Sequence, residues 1–143
     1  MTDDLYADPD FCQAILMDYY RNPRCPGICQ PASHLAEATN PACGDLVKLS
    51  FQIQDGQINQ VRAAGAGCAV SQAGASLLAE QLQGKSFAEA KLLLGELDQL
   101  LRQRGGDPVV LGRLLALRLI TANPARVQCA LVGWRAAMAA LPE

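Results

Sequence analysis

The chain has 143 residues, a length that suits one domain with its own hydrophobic core, so we expect residues 1–143 to form a single domain. Half of the residues are hydrophobic and 18% are charged, which excludes a largely disordered chain. The net charge of −2, the scattered basic residues and the 5% aromatic content argue against a nucleic-acid partner.

The first part of the chain predicts a helix, a connector and a strand. After Asp8-Pro9, a typical helix start, apolar residues recur at four-residue spacing and predict a helix over residues 9–21. Residues 22–33 are rich in proline and predict a connector. A short strand is expected over residues 34–39.

A β-hairpin is the clearest prediction in the middle of the chain. Apolar and polar residues alternate over residues 47–54, which is the period of a half-buried strand. Asp55-Gly56 is a strong turn signal. The return strand, over about residues 57–64, alternates less cleanly because Ile58 and Val61 fall on opposite parities, which indicates a β-bulge.

The pattern becomes helical after Gly65-Ala66-Gly67. Good helix formers occupy residues 69–83, and a capping box at Ser86 begins a helix that reaches about residue 102. Two further helices are predicted over residues 108–119 and 124–141. The order of elements predicts an α+β fold, in which a small three-stranded antiparallel sheet is covered on one face by about five helices.

Six cysteines and a single histidine are the unusual part of the composition. A disulfide-stapled secreted domain is typically shorter and less apolar. The acidic start, Met-Thr-Asp-Asp-Leu, lacks the basic region of a signal peptide, and no apolar run reaches the roughly 18 residues that span a bilayer. We therefore expect a cytoplasmic protein with reduced thiols and no membrane contact.

Three of the cysteines occupy special positions in the predicted chain. Cys43 lies in a turn, Cys68 immediately precedes a helix and Cys129 lies early in the last helix, and a helix N-terminus favours the thiolate. Asp45 follows Cys43 by two residues, and residues at that spacing share a side of an extended chain. Three thiolates and a carboxylate suit tetrahedral zinc or the iron of a cluster, whereas ordinary buried cysteines are the alternative.

The three cysteines stand in motifs that occur in the same order in a known family. The motifs resemble those of the U-type iron–sulfur cluster assembly proteins, which include SufU, IscU and the N-terminal domain of NifU. The resemblance covers nearly the whole chain and implies a SufE/NifU-like fold. The matching segments are Met17-Asp18-Tyr19-Tyr20-Arg21-Asn22-Pro23-Arg24, Asn40-Pro41-Ala42-Cys43-Gly44-Asp45, Gly65-Ala66-Gly67-Cys68-Ala69-Val70-Ser71 and Pro124-Ala125-Arg126-Val127-Gln128-Cys129.

Within this family the chain resembles the SufU type most. Gln128 precedes Cys129 at the position where IscU-type members carry a histidine. A helical stretch from about residue 95 to 120, interrupted by glycines, resembles the insertion that marks SufU-type proteins. The resemblance implies a bound zinc ion and sulfur transfer in the SufU type, whereas the same positions assemble a [2Fe–2S] cluster in the IscU type.

The resemblance also implies a role for individual residues. Cys43, Asp45, Cys68 and Cys129 are the expected metal ligands, and Cys43 is the expected sulfur acceptor because a loop thiolate moves with little strain. Arg126 is expected to hydrogen-bond a ligand, with an ordinary surface arginine as the alternative. The expected partners are a SufS-like cysteine desulfurase and the iron–sulfur cluster assembly machinery. The chain would then be a sulfur-transfer partner rather than a stand-alone enzyme.

Two other functions remain open at this point. One is a scaffold that binds iron or a [2Fe–2S] cluster, and the other is a structural zinc domain that only mediates interactions. Asp45 argues against the structural zinc domain, because such sites are usually closed by cysteine and histidine. Cys25 and Cys29 allow a regulatory disulfide or an additional metal contact. We favour ordinary packing or surface roles for the residues outside the motifs, which are Cys12, Cys25, Cys29 and His34.

Overall fold

A computed structural model describes residues 5–142 of the chain. Most of the acidic start that argued against a signal peptide, residues 1–4, lies outside the described residues. Within residues 5–142, no helix is long and apolar enough to cross a membrane. The elements in chain order are α1 (Pro9–Arg21), β1 (His34–Asn40), β2 (Asp45–Gln54), β3 (Gln57–Ala66), α2 (Ala69–Leu82), α3 (Phe87–Leu101), α4 (Pro108–Leu111), a 3-10 helix (Gly112–Ile120) and α5 (Pro124–Ala140).

The three strands form an antiparallel sheet in the order β1-β2-β3. The tight turn between β2 and β3 lies at Asp55-Gly56, as predicted. Gln52 pairs with Gln60, whereas the next residue, Ile53, pairs with Ile58, so β3 contains one extra residue at this point. The predicted bulge in the return strand is therefore confirmed.

One face of the sheet carries the hydrophobic core. The alternating residues Val47, Leu49 and Phe51 of β2 are fully buried, and helices α2 and α5 pack against the sheet. On β2, Ser50 has the opposite parity and is also buried, because the connector between α1 and β1 crosses there and the Cys29 N–H donates to the Ser50 hydroxyl at 2.8 Å. The predicted α+β fold is confirmed.

The helix predicted over residues 108–119 is wrong in its second part. The α-helix ends at Leu111, and Gly112 adopts a φ of 53°, a left-handed conformation that interrupts a right-handed helix. The chain then continues as a 3-10 helix to Ile120. This stretch is apolar at most positions, and the tighter winding buries Leu114, Leu115 and Leu117 in the same core.

A polar network around Tyr19 connects α1, α2 and the 3-10 helix. Tyr19 is fully buried, and its hydroxyl donates to Glu80 Oε1 at 2.5 Å and accepts from Arg113 Nη1 at 2.7 Å. The guanidinium carbon of Arg24 lies 4.1 Å from the centre of the Tyr19 ring. The aromatic ring thus packs in the core while its hydroxyl satisfies two charged groups.

Replacing Tyr19 with phenylalanine is expected to lower the free energy of unfolding by about 1–2 kcal/mol, because Glu80 and Arg113 lose their common partner. Denaturant unfolding measures this change. Tyr20 is the matched control, since it is exposed and its hydroxyl makes no hydrogen bond among residues 5–142. A Tyr20→Phe variant should unfold like the parent, and equal losses in both variants would contradict the network.

Candidate metal centre

The three motif cysteines meet where the β1–β2 connection approaches two helices. Asn40 and Asp45 are paired residues at the ends of β1 and β2, and Cys43 lies in the turn between them. Cys68 caps the N-terminus of α2 directly after β3. Cys129 lies on α5, which packs across β1 and β2. The antiparallel sheet therefore places motifs from three parts of the chain at one end.

Cys43, Asp45 and Cys129 form a compact group of possible ligands. One ligand atom from each residue lies within 4.8 Å of the others, and the two thiol sulfurs are 3.6 Å apart. Asp45 and Cys129 are only 1% and 0% exposed, whereas Cys43 is exposed to solvent. The group is therefore enclosed by protein on its inner side and open at Cys43.

The approach of Cys43 to Asp45 arises from a turn and not from the extended chain that we expected. Residues 41–44 form this turn, in which Gly44 has a φ of 70°. The Cys43 N–H donates to the Asn40 carbonyl at 3.1 Å and closes the turn. A left-handed residue between the two ligands thus reverses the chain, which explains why glycine is suited to position 44.

Asp45 presents one satisfied and one unsatisfied oxygen. Its Oδ1 accepts the Cys68 N–H at 2.8 Å and the Ser71 hydroxyl at 3.1 Å. Its Oδ2 is buried and has no hydrogen-bond partner among the described residues. Burial raises the pKa of Asp45, but the Cys68 N–H and the nearby Cys129 thiol and Ser71 hydroxyl lower it by more, so the pKa is below its usual value. A buried, ionised oxygen without a partner fits a bound cation.

The pKa of the Cys129 thiol is shifted in the opposite direction from that of Asp45, above its usual value. Burial raises its pKa, and the neighbouring Asp45 carboxylate and the thiols of Cys68 and Cys43 raise it further. The expectation that the start of the last helix favours a Cys129 thiolate is therefore wrong for the chain alone, because Cys129 lies beyond the first turn of α5 and is fully buried. A metal ion that binds this sulfur would have to displace its proton.

Cys68 lies beside this group, but it is not among the residues whose ligand atoms all lie within 4.8 Å of one another. Its thiol is half-buried and accepts the Ser71 N–H at 3.4 Å, while its own N–H contacts Asp45. Cys68 lies at the N-terminus of α2, as predicted from the sequence. Three of the four predicted ligands thus have mutually close ligand atoms, and Cys68 as the fourth ligand stays a prediction.

Arg126 and Gln128 lie on the exposed side of α5 near Cys129. The Arg126 N–H contacts the Asn123 side chain at 3.3 Å, but its guanidinium makes no hydrogen bond or ion pair within residues 5–142. Gln128 Oε1 accepts from Arg135 Nη2 at 2.7 Å. The contact of Arg126 with a ligand therefore stays a prediction, and the structure places this residue on the surface.

The cysteines outside the motifs are free thiols away from this group. Cys12 is buried in the core, Cys29 is buried beside Ser50 and Cys25 is half-buried near Gln83. All six cysteines of the chain lie within the described range, and none of them forms a disulfide there. His34 begins β1, at the end of the strand opposite to Asn40.

Three residues that shape the site had no predicted role. Asn40 is buried and donates its side-chain amide to Cys129 Sγ at 3.8 Å, and Ser71 contacts Asp45. A Cβ on Gly67 would lie only 2.8 Å from the Asp45 Cα. All three residues belong to the motifs of Cys43 and Cys68, so their place within these motifs was the available signal.

The donor set matches a metal ion with a preference for sulfur. Three thiols and one carboxylate suit zinc or the iron of a cluster, and hard cations such as Mg²⁺ prefer oxygen ligands alone. The unpartnered Asp45 Oδ2 and the adjacent Cys43 and Cys129 sulfurs agree with this assignment. The residues present therefore fit a bound metal.

Known proteins show the same pattern along most of the chain. The sequence model of the family described as the NifU-like N terminal domain matches residues 12–142. The chain is 31% identical over 124 residues to the zinc-dependent sulfurtransferase SufU of Bacillus subtilis, covering 85% of this chain and 83% of that protein. It is also 31% identical over 133 residues to the iron–sulfur cluster assembly scaffold protein IscU of Thermotoga maritima, covering 93% of both.

The fold of the chain is also similar to that of a solved structure. It belongs to a candidate iron–sulfur cluster assembly scaffold protein for the SUF system from Fervidobacterium islandicum AW-1, with a TM-score of 0.85 and 31% identity. The similarity covers 90% of this chain and 94% of that one. The chain therefore belongs to the family of NifU-like N-terminal domains, the U-type proteins of iron–sulfur cluster assembly.

Proposed function

We propose that the chain is a SufU-type sulfur acceptor that holds zinc through Cys43, Asp45, Cys68 and Cys129 and takes persulfide sulfur from a cysteine desulfurase. The observation that carries this proposal is an exposed Cys43 thiol 3.6 Å from the buried Cys129 thiol. The similarity to a relative that is named a zinc-dependent sulfurtransferase supports it. The relative's name supplies the reaction class, and the site supplies the residues.

Cys43 is the residue suited to accept sulfur. As a thiolate, it would attack the terminal sulfur of the desulfurase persulfide. A bond forms between Cys43 Sγ and that sulfur, the sulfur–sulfur bond of the persulfide breaks, and the desulfurase cysteine leaves as a thiolate with the electron pair. Cys129 is fully buried and out of reach of such a donor. Bound zinc would favour deprotonation of the ligand thiols.

The same proposal specifies the partners of the protein and the compartment in which it acts. The donor would be a SufS-like cysteine desulfurase, and the iron–sulfur cluster assembly machinery would receive the sulfur. We place the protein in the cytoplasm, where thiols stay reduced, since all six cysteines are free. Residues 1–143 would act as one domain, which agrees with a family match over residues 12–142.

A scaffold that assembles a [2Fe–2S] cluster is the second candidate function. The same three thiols and one carboxylate suit iron, and the similarity to a relative named a scaffold protein, IscU, is equal in identity. Gln128 favours the SufU type, because the sequence lacks the histidine that IscU-type members carry before this cysteine. A structural zinc domain is the third candidate, and the exposed Cys43 argues against it, because structural sites are closed.

Purified chain mixed with a cysteine desulfurase is expected to stimulate alanine release when about one zinc ion is bound per chain. The chain stripped of metal with a chelator is the control and should stimulate little. Elemental analysis and an alanine assay measure both quantities. Charge-transfer bands after anaerobic addition of iron and sulfide, without stimulation, would support the scaffold instead. Zinc binding with neither activity would support the structural domain.

A further inference from the structure

We propose that Ser71 is a positioning residue that turns the Asp45 carboxylate so that Oδ2 alone faces the metal. This inference rests on the metal binding proposed above and concerns a residue without an assigned role. Ser71 is 1% exposed and lies in the first turn of α2. Its hydroxyl lies 3.1 Å from Asp45 Oδ1, and its N–H donates to Cys68 Sγ at 3.4 Å. Ser71 therefore contacts two of the four predicted ligands.

The hydrogen bonds around Ser71 orient its hydroxyl proton toward Asp45. Gln72 Nε2 donates to Ser71 Oγ at 3.0 Å, which leaves the hydroxyl proton for another acceptor. The Cys68 carbonyl is also 3.1 Å away, but it already accepts the Gln72 N–H at 3.1 Å as part of the helix. The carboxylate is charged, and a charge-assisted hydrogen bond is roughly twice as strong as a neutral one.

The two oxygens of Asp45 consequently have different tasks. Oδ1 accepts the Cys68 N–H and the Ser71 hydroxyl, whereas Oδ2 is buried and unpartnered. Two donors on one oxygen hold the plane of the carboxylate and leave the other oxygen as the ligand atom. Without the Ser71 hydroxyl, one donor remains and the carboxylate can rotate. Outer hydrogen bonds of this type are worth about 10–100-fold in metal affinity.

Zinc affinity, measured by competition with a chromogenic chelator, tests this role. A Ser71→Ala variant is expected to bind zinc about 10–100-fold more weakly than the parent. A Ser71→Thr variant, which keeps the hydroxyl, should recover most of this loss. Ser76→Ala is the matched control on the same helix, because Ser76 is also buried but its hydroxyl accepts the Arg24 N–H. Parental affinity in Ser71→Ala would overturn the proposal.

A double-mutant cycle separates positioning from packing. If Ser71 acts through Asp45, Ser71→Ala should cause no further loss of zinc affinity in an Asp45→Ala background. An equal loss in both backgrounds would overturn the proposal and assign the effect to packing. The visible spectrum of the cobalt-substituted chain gives a second readout, and Ser71→Ala should shift it. Parent chain without zinc affinity would instead overturn the metal assignment itself, so the two failures are distinguishable.

Discussion

Replacing Cys43 with alanine is expected to abolish sulfur transfer to this chain. Cys43 is exposed, whereas Cys68 is half-buried and Cys129 is fully buried, so Cys43 is the most accessible of the three predicted ligand thiols to a protein donor. The rate of alanine release should fall to that of the desulfurase alone, because the variant lacks the nucleophile that would accept the sulfur. Mass spectrometry of the mixed proteins should find a persulfide on the parent chain and none on the variant.

A second cysteine variant controls for accessible thiols in general. Cys25 is half-buried and contacts Gln83, on a part of the chain that the proposed transfer does not use. Cys25→Ala should therefore keep the parental rate and the persulfide. A Cys43→Ala variant with half the parental rate would contradict the role of Cys43. An equal loss in Cys25→Ala would show that sulfur enters at more than one position.

Replacing Gly67 with alanine is expected to dismantle the site and destabilise the fold. Gly67 has a φ of 142°, a conformation that L side chains rarely adopt. A Cβ there would contact Asp45 Oδ1 and lie 2.8 Å from the Asp45 Cα, so Asp45 would have to move. The backbone strain and the steric clash together predict a loss of roughly 3 kcal/mol in the free energy of unfolding. Zinc content should fall as well, because Asp45 is a predicted ligand.

The steric clash and the backbone strain can be separated with another glycine. Gly84 also has a left-handed φ, of 86°, but a Cβ at this position meets no atom within 4 Å. Gly84→Ala should therefore cost only about 1–2 kcal/mol and leave zinc content unchanged. Denaturant unfolding and elemental analysis of both variants measure the difference. Equal costs, or full zinc content in Gly67→Ala, would contradict the contact with Asp45.

Local sequence signals were sufficient for most of the fold. The capping box at Ser86, the turn at Asp55-Gly56 and the bulge in β3 depend on neighbouring residues, and the structure contains all three. The helix that starts at Pro108 was predicted to reach about residue 119. Gly112 interrupts it with a left-handed conformation that the periodicity of apolar residues does not encode.

The ligand residues of the candidate site could be predicted from the sequence, whereas the hydrogen bonds around them could not. The order of the motifs identified Cys43, Asp45, Cys68 and Cys129, and three of these have close ligand atoms. Spacing along the chain did not show that the Ser71 hydroxyl and the Cys68 N–H meet on one oxygen of Asp45. Such contacts depend on the angle at which α2 leaves the sheet.

The sequence by itself determined the family, the order of elements and the identity of the sulfur and carboxylate groups, because these depend on local patterns and on motifs. Only the tertiary structure decided their electrostatic state and accessibility. Helix α5 packs across the sheet and buries Cys129, which raises the pKa of its thiol, while the turn before β2 leaves Cys43 exposed. Burial and proximity arise when distant segments pack together, so one-dimensional spacing does not contain them.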